Sequence, residues 1–221
     1  PPGFGDSKTG RRISTKFGGG PDPSLEAYAR ALADALDEIR VDRVVLAGSS
    51  MGGYTVLAFT ELFPERVAGI GLIGTKSTAD STEVQEIRLA QAAAASEPQL
   101  GFFQSPKVGD AVSPTTRTDR EAVFDILRNW YEQVTSEAVA WGQRAMAFRP
   151  DRTEVLREFT GPVRLVYGMD DAIVPRSDAL IMAEAAGQEL IEVPRAGHHV
   201  AVEEPEIVAE VLADLVAAAR S

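Results

Sequence analysis

Ser50 is the residue whose neighbours point most directly to chemistry. It stands between Gly48 and Gly52, after an apolar run at 44–47 that is typical of a buried strand. A stretch of helical length follows at 54–63. A serine at such a strand-to-helix turn forms a nucleophile elbow, in which a strained backbone lifts the hydroxyl above the strand end. We expect both glycines for steric reasons, because side chains beside so tight a turn would clash. A glycine-rich turn with a solvated serine is the alternative.

A serine hydroxyl is a weak nucleophile at neutral pH and needs a base, which itself needs an orienting acid. The chain has only two histidines, His198 and His199, and they follow the apolar strand predicted at 190–193. The loop at the carboxyl end of a strand is where a parallel-sheet protein places functional groups. The pair could instead bind a metal, but adjacent side chains usually point apart and the chain has no cysteine. We therefore expect no metal.

The candidate acids are Asp170 and Asp171, which follow a β-rich run that ends at Gly168. Their position gives the chain order serine, aspartate, histidine, which is one of the known orders for a serine nucleophile and its partners. Both aspartates could equally form a turn or a helix cap before Pro175. The residues alone leave open which aspartate and which histidine act.

The chain resembles the α/β-hydrolase superfamily, in particular its lid-bearing, esterase-like branch. The resemblance covers nearly the whole chain and is carried by residues 2–7, 48–53, 63–67, 168–175 and 196–206. In such families the acid is the third residue after the glycine and the base follows its glycine directly. The resemblance therefore implies Asp171 as the acid and His198 as the base, with the Met51 amide in the oxyanion hole. It leaves His199 to line the pocket or to pack.

The resemblance has one departure, at the beginning of the chain. Members of the family usually have further strands and a His-Gly loop before the segment that corresponds to residues 2–7, and the loop gives the second oxyanion amide. No His-Gly pair occurs in this sequence. We therefore expect the chain to be a fragment, whose missing N-terminal segment is a possible partner.

The elements that must position these residues alternate along the chain. Ser24 can cap an amphipathic helix, and short apolar strands at 44–47, 67–73, 163–167 and 190–193 are separated by helical stretches. A final helix is predicted from Pro205. This alternation predicts an α/β fold with a mostly parallel sheet and helices on both faces. Residues 1–74 and 150–221 would form this core.

Residues 75–149 interrupt the alternation with helical segments around 83–95 and 119–147. We expect them to form a helical lid inserted between two strands, above Ser50. Its apolar side chains either hold the lid together or line a substrate pocket. The predicted substrate-binding residues, together with His199, are Phe102, Phe103, Trp130, Trp141 and Met146.

Composition restricts the partners. The 221 residues carry 33 acidic and 22 basic side chains, a net charge of −11, which disfavours nucleic acid and anionic membranes. No apolar run has membrane-spanning length and no signal peptide is seen, so a cytoplasmic location is expected. The expected function is a cofactor-free serine hydrolase for small to medium carboxylic esters. The alternatives are a C–C bond hydrolase, a perhydrolase or haloperoxidase, and a non-catalytic ligand-binding protein.

Overall fold

A computed structural model describes residues 1–96 and 108–220. Within them, four parallel strands form one sheet in which the spatial order equals the chain order. The strands are β1 (Val44–Ser49), β2 (Val67–Ile73), β3 (Val163–Gly168) and β4 (Leu190–Val193). The predicted parallel sheet is confirmed, and the carboxyl ends of all four strands lie at the same edge.

Helices surround the sheet and connect its strands. Short 3-10 turns at Pro64–Arg66 and Val108–Ala111 complete the described elements. The α-helices are α1 (Gly10–Phe17), α2 (Leu25–Glu38), α3 (Met51–Leu62), α4 (Thr82–Ser96), α5 (Pro114–Asp119), α6 (Glu121–Glu132), α7 (Ser136–Ala147), α8 (Thr153–Glu158), α9 (Arg176–Ala186), α10 (Val200–Glu203) and α11 (Pro205–Ala218).

Both faces of the sheet are covered, as the near-continuous apolar strands predicted. Successive strand residues point to opposite faces. Leu72 and Leu165 accordingly pack in the larger core with α2, α3 and α9, whereas Ile73 and Val166 pack with α10 and α11. The helix predicted after Ser24 is also confirmed, and the Ala27 amide donates to the Ser24 hydroxyl at 3.1 Å.

The helical stretch between β2 and β3, residues 75–149, contains α4 to α7. The segment predicted as one helical run at 119–147 is divided, because Arg120 leaves helical geometry and Thr135 caps α7. Ion pairs join the two ends of this helical segment. Arg149, at its last position, and Arg88, in α4, both bind the buried Asp80 near its beginning. That it forms a separate lid stays a prediction. No helix of residues 1–96 and 108–220 is long and apolar enough to cross a membrane.

Candidate active site

Ser50 occupies the turn between β1 and α3 in a backbone conformation that is rare for a residue with a side chain. Its φ is 51° and its ψ is −119°, a strained region that costs about 1–3 kcal/mol. Two hydrogen bonds hold the strained turn: the Ser50 amide donates to the Ile73 carbonyl at 3.0 Å, and the Thr75 hydroxyl donates to the Ser50 carbonyl at 2.8 Å. The end of β2 thus fixes the turn that presents the serine.

The glycines around Ser50 differ in their steric roles. A Cβ at Gly48 would lie 2.3 Å from the Gly52 carbonyl carbon, so Gly48 is required as predicted. A Cβ at Gly52 would meet nothing within 4 Å, and the prediction that Gly52 is sterically required is wrong. The second requirement falls on Gly53, where a Cβ would lie 2.4 Å from the Thr75 side chain. The strand glycine, Gly48, therefore packs against the first turn of α3, and Gly53 in that turn packs against Thr75.

Ser50, His198 and Asp171 form a continuous hydrogen-bonded chain. His198 Nε2 lies 2.8 Å from Ser50 Oγ, and His198 Nδ1 lies 3.0 Å from Asp171 Oδ2. An ionised carboxylate only accepts hydrogen bonds, so Nδ1 carries the ring proton and Nε2 is left to accept from the Ser50 hydroxyl. The arrangement can transfer a proton from the serine to the imidazole while the carboxylate orients the ring.

Asp171 rather than Asp170 makes this contact because of the turn after β3. Its side chain is 0% exposed, and Oδ1 accepts from the amides of Ile173 and Val174 at 2.8 and 3.0 Å. These bonds leave Oδ2 directed at the imidazole. Asp170 is exposed, and its amide donates to the Ala196 carbonyl at 2.9 Å.

Met51 is the first residue of α3, directly after Ser50. The first amides of a helix have no acceptor within the helix, so they are available to stabilise a negative charge. The Met51 side chain lines the cavities beside Ser50. Its role as an oxyanion donor stays a prediction.

Two cavities open beside Ser50, and they differ in polarity. The larger, about 740 Å³, carries charged side chains that include Lys76, Arg88 and Asp178. The smaller, about 290 Å³, is mostly apolar, with Phe4 and residues of α7 on its wall. Ser50, Met51, Tyr131, Gln143 and Met146 line both. Ser50 therefore stands where an almost wholly apolar cavity meets one whose wall also carries charged side chains.

The charged wall of the larger cavity is built around Asp80. Burial would raise the pKa of Asp80, but hydrogen bonds from Arg149 and Arg88 outweigh it and hold the pKa far below its usual range. Arg149 binds both carboxylate oxygens, at 2.6 and 2.9 Å, and Lys76 Nζ lies 3.2 Å from Oδ1. The Arg149 guanidinium also stacks 4.0 Å above the Tyr54 ring. This network joins both ends of the helical segment beside Ser50.

The predicted substrate-binding residues are dispersed. Met146 does line both cavities. Trp141 does not line either: it is 4% exposed, and its indole N–H donates to the Ser14 hydroxyl at 2.9 Å, so it packs between α7 and α1. Trp130 is 53% exposed on the outer face of α6 and lines neither cavity. Phe102 and Phe103 lie outside the described residues.

His199 packs behind the predicted base rather than lining either cavity. Its Nε2 lies 2.8 Å from the Tyr131 hydroxyl, and its ring meets that of His198 edge-on at 5.6 Å between centroids. Burial, followed by the nearby charge of His198, lowers the pKa of His199 to about 4. His199 is therefore neutral at pH 7.

Sequence reasoning missed Tyr131 as a cavity residue. On α6, Phe124, Leu127 and Tyr131 share an inward stripe, whereas Ile126 and Trp130 are exposed. The helical spacing of Phe124, Leu127 and Tyr131, which form a longer apolar stripe than Ile126 and Trp130, was the sequence signal that could have identified Tyr131 as facing inward. Among residues 1–96 and 108–220, no three His, Cys, Asp or Glu side chains are grouped as metal ligands.

Comparison with known proteins identifies the class of protein to which this site belongs. A model of the alpha/beta hydrolase family matches residues 1–211, and the chain belongs to this family. The resemblance to the α/β-hydrolase superfamily is thereby confirmed. The chain shares 28% identity and a TM-score of 0.87 with a thermophilic esterase from Thermogutta terrifontis solved with malate bound. That match covers all (100%) of this chain and 78% of the esterase chain.

Curated relatives include hydrolases of another kind. A 2-hydroxy-6-oxononadienedioate/2-hydroxy-6-oxononatrienedioate hydrolase from Klebsiella pneumoniae is 29% identical over 186 residues, which are 77% of this chain and 61% of that protein. The dihydrolipoyllysine-residue acetyltransferase component of an acetoin cleaving system from Pseudomonas putida is 30% identical over 190 residues, 83% of this chain and 48% of that protein. The chain thus spans about half to three fifths of the length of these relatives. An enol-lactonase from Burkholderia xenovorans, 20% identical with a TM-score of 0.79, shares the fold.

Proposed function

We propose that the chain is a serine hydrolase that cleaves small to medium carboxylic esters through an acyl-enzyme on Ser50. The observation that carries the proposal is the hydrogen-bonded chain from Ser50 through His198 to Asp171, at 2.8 and 3.0 Å. A base nitrogen within about 3.2 Å of the hydroxyl oxygen meets the geometric condition for general-base catalysis. The family and the 28% identical esterase support the same class of reaction.

In the proposed reaction, Ser50 Oγ attacks the carbonyl carbon of the ester while His198 Nε2 accepts the hydroxyl proton. Asp171 stabilises the resulting imidazolium, and the Met51 amide binds the negative oxygen of the tetrahedral intermediate. The intermediate collapses as the alcohol leaves with the proton from His198. A water molecule then attacks the acyl-enzyme, with His198 as its base, and releases the carboxylic acid and free Ser50.

The two cavities support an ester with unequal sides. The apolar compartment beside Phe4 and α7 fits a short hydrocarbon group, and the charged compartment beside Lys76 and Arg88 fits a larger, polar group. Tyr131, Gln143 and Met146 come from α6 and α7, so we also propose that residues 75–149 act as the lid over the site. The partner is then a small molecule, and no cofactor takes part.

The test is hydrolysis of p-nitrophenyl acetate, butyrate and octanoate by the chain, with Ser50→Ala as the inactive variant and Ser49→Ala as its matched control. We expect release of nitrophenolate that vanishes in Ser50→Ala, persists in Ser49→Ala and falls with the longest acyl group. A fluorophosphonate should label the chain on Ser50 alone, read by peptide mass. Ester hydrolysis that persists in Ser50→Ala would disprove the proposal.

C–C bond hydrolysis is the second candidate, because curated relatives of this kind reach 29% identity. It uses the same serine, histidine and aspartate but a different substrate. Turnover of a 2-hydroxy-6-oxo-dienoate can be monitored by the loss of its absorbance. C–C bond hydrolysis would be favoured if this substrate reacts and the p-nitrophenyl esters react at least about a hundred times more slowly.

A further inference from the structure

The carboxylate of Glu203 lies in the interior, five residues after His198, and takes no part in the proposed reaction. Glu203 is 3% exposed. Its Oε2 accepts from the Ser113 amide and from the Thr116 hydroxyl, both at 2.8 Å. Its Oε1 accepts from the Gly197 amide at 2.9 Å. One buried carboxylate thus connects the loop of the predicted base with the beginning of α5, within the helical segment.

Such a position is costly without these bonds. A buried carboxylate loses its hydration, and only well-formed hydrogen bonds or an opposite charge compensate for that loss. The three donors here are two amides and a hydroxyl, while the nearby Arg120 guanidinium donates to the backbone carbonyl of Glu203 and to the Glu204 carboxylate. The Glu203 side chain is therefore bound into a single geometry by its own hydrogen bonds.

The same loop is held by contacts on two further sides. The His198 amide donates to the Ala111 carbonyl at 2.9 Å, and a Cβ at Gly197 would lie 2.7 Å from the Ser113 amide nitrogen. On the side of the sheet, a Cβ at Gly168 would lie 2.1 Å from the Gly197 carbonyl oxygen. The peptide before His198 is thus confined between β3 and residues 111–116.

We infer that Glu203 is a positioning residue for the base: its carboxylate holds the amide of Gly197, the residue before His198, against residues 111–116 and so keeps His198 Nε2 within reach of Ser50. The inference rests on the proposed function, because its kinetic consequence is read in the serine reaction. It also means that the contact of the helical segment with Glu203 helps to set the position of the His198 side chain.

The two carboxylate oxygens of Glu203 accept different numbers of hydrogen bonds, two at Oε2 and one at Oε1, which makes one substitution informative. Glutamine has a single acceptor oxygen, and we expect this oxygen to accept the hydrogen bonds of the Ser113 amide and the Thr116 hydroxyl. Its NH₂ group then faces the Gly197 amide, so two donors meet and the loop of His198 must shift. Glu203→Gln therefore disturbs the base loop, whereas Thr116→Val removes one donor on the opposite side and leaves the Gly197 bond intact.

The experiment compares these two variants by kinetics and by NMR. A displacement of about 1 Å at a reacting group costs up to about 100-fold in rate. We expect Glu203→Gln to lower kcat by about 10- to 100-fold with KM within about twofold, and Thr116→Val to keep kcat within about threefold. Active-site titration with a fluorophosphonate gives kcat per reactive serine, so a smaller folded fraction does not imitate the effect.

NMR reads the position of the base without turnover. The chain has only two histidines, so the ring nitrogens of ¹⁵N-histidine-labelled protein can be assigned. We expect the downfield Nδ1 proton of His198, bonded to Asp171, to shift or disappear in Glu203→Gln and to persist in Thr116→Val. If the wild-type chain hydrolyses no ester, the proposed function fails, while this resonance still tests the positioning.

A wild-type kcat and an unchanged His198 resonance in Glu203→Gln would overturn the inference. Equal losses in Glu203→Gln and Thr116→Val would also overturn it, because they would indicate a general packing role. Should Glu203→Gln not fold, Glu203→Asp keeps both oxygens but shortens their reach. A lowered kcat with unchanged KM in that variant supports the inference, and a wild-type kcat contradicts it.

Discussion

The carboxyl edge of the sheet and the helical segment at 75–149 meet at Ser50, but different forces build them. At the sheet edge, backbone atoms set the positions: Ser50 follows β1, and Asp171 and His198 follow β3 and β4. In the helical segment, long side chains set the positions: Asp80 is bound by Lys76 and Arg88, which are near it in the chain, and by Arg149 from the far end of the segment. The first region is specified by short motifs, and the second by contacts that no short motif encodes.

The close backbone approaches explain why the sheet edge is so strongly specified. A Cβ at Gly74, the residue after β2, would lie 2.9 Å from the His198 carbonyl oxygen, and Gly74 itself has a φ of 51°. Glycine is the residue that accepts both the crowding and the left-handed backbone. Parallel strands in register then bring the three chemical groups to one place. Few sequences satisfy these conditions, so the motif is informative.

The largest expected effect tests whether the sheet edge distinguishes two neighbouring carboxylates. Asp171→Asn should lower kcat by about 10³- to 10⁴-fold, because an amide cannot hold His198 in the tautomer that accepts the serine proton. Asp170→Asn is the matched control and should stay within about threefold, since Asp170 is exposed. Steady-state hydrolysis of p-nitrophenyl butyrate measures both. Equal effects would mean that the contact to His198 at 3.0 Å has no special role.

The next effect concerns the helical segment. Asp80→Asn leaves Arg149 and Arg88 without their buried counter-charge, and breaking such a pair costs about 3–5 kcal/mol. The pKa of Asp80 is lowered in the folded protein, so its contribution is complete above the ordinary carboxylate pKa and decreases as the pH falls below it. Urea unfolding should show a difference between wild type and variant that is largest at pH 7 and smaller, but still present, at pH 3, because the pKa of Asp80 in the folded protein lies below that pH.

Asp34→Asn is the control for Asp80→Asn, because the exposed pair of Asp34 with Lys16 contributes about 0–1 kcal/mol. A loss for Asp80→Asn no greater than that of Asp34→Asn would contradict the view that side-chain charges hold the helical segment.

A smaller effect separates the two glycines after Ser50. Gly53→Ala places a methyl group about where the Thr75 side chain lies, and overpacking of this kind costs about 1–3 kcal/mol. Because Thr75 also holds the Ser50 carbonyl, we expect kcat to fall as well. Gly52→Ala meets open space and should be neutral or mildly stabilising in α3. Thermal unfolding and ester hydrolysis measure both, and the reverse order would refute the steric assignment.

How much the sequence predicts follows from this contrast. Ser50, the aspartates at 170–171 and the histidines at 198–199 were predicted because each follows an apolar strand close to a glycine, which are local signals. The choice of Asp171 and His198 within the two pairs came from the resemblance to the family. Trp141 was assigned to the pocket because it is aromatic, yet its partner Ser14 lies 127 residues away. Nothing near Trp141 in the chain reveals that partner. Long-range side-chain contacts of this kind decide which apolar residues face substrate, so the cavity walls could not be derived.

The last prediction concerns His199, which contacts both regions through His198 and Tyr131. Its pKa is lowered to about 4, whereas that of an unfolded histidine is about 6.5. Between these values the unfolded chain binds a proton that the folded protein does not. The contribution of a neutral His199 is therefore complete above about pH 6.5 and is lost as the pH falls toward 4, by about 3 kcal/mol at most.

His199→Gln should accordingly flatten the rise of the unfolding free energy between pH 4 and 6.5, measured by urea titrations across that range. Tyr131→Phe keeps the imidazole and should keep the slope, while it removes the contact to the hydroxyl at 2.8 Å. Carboxylates that titrate in the same range are common to all three proteins, so they cancel in the comparison. An unchanged slope in His199→Gln would mean that His199 is not protected from protonation, and that the helical segment does not seal the sheet edge from water.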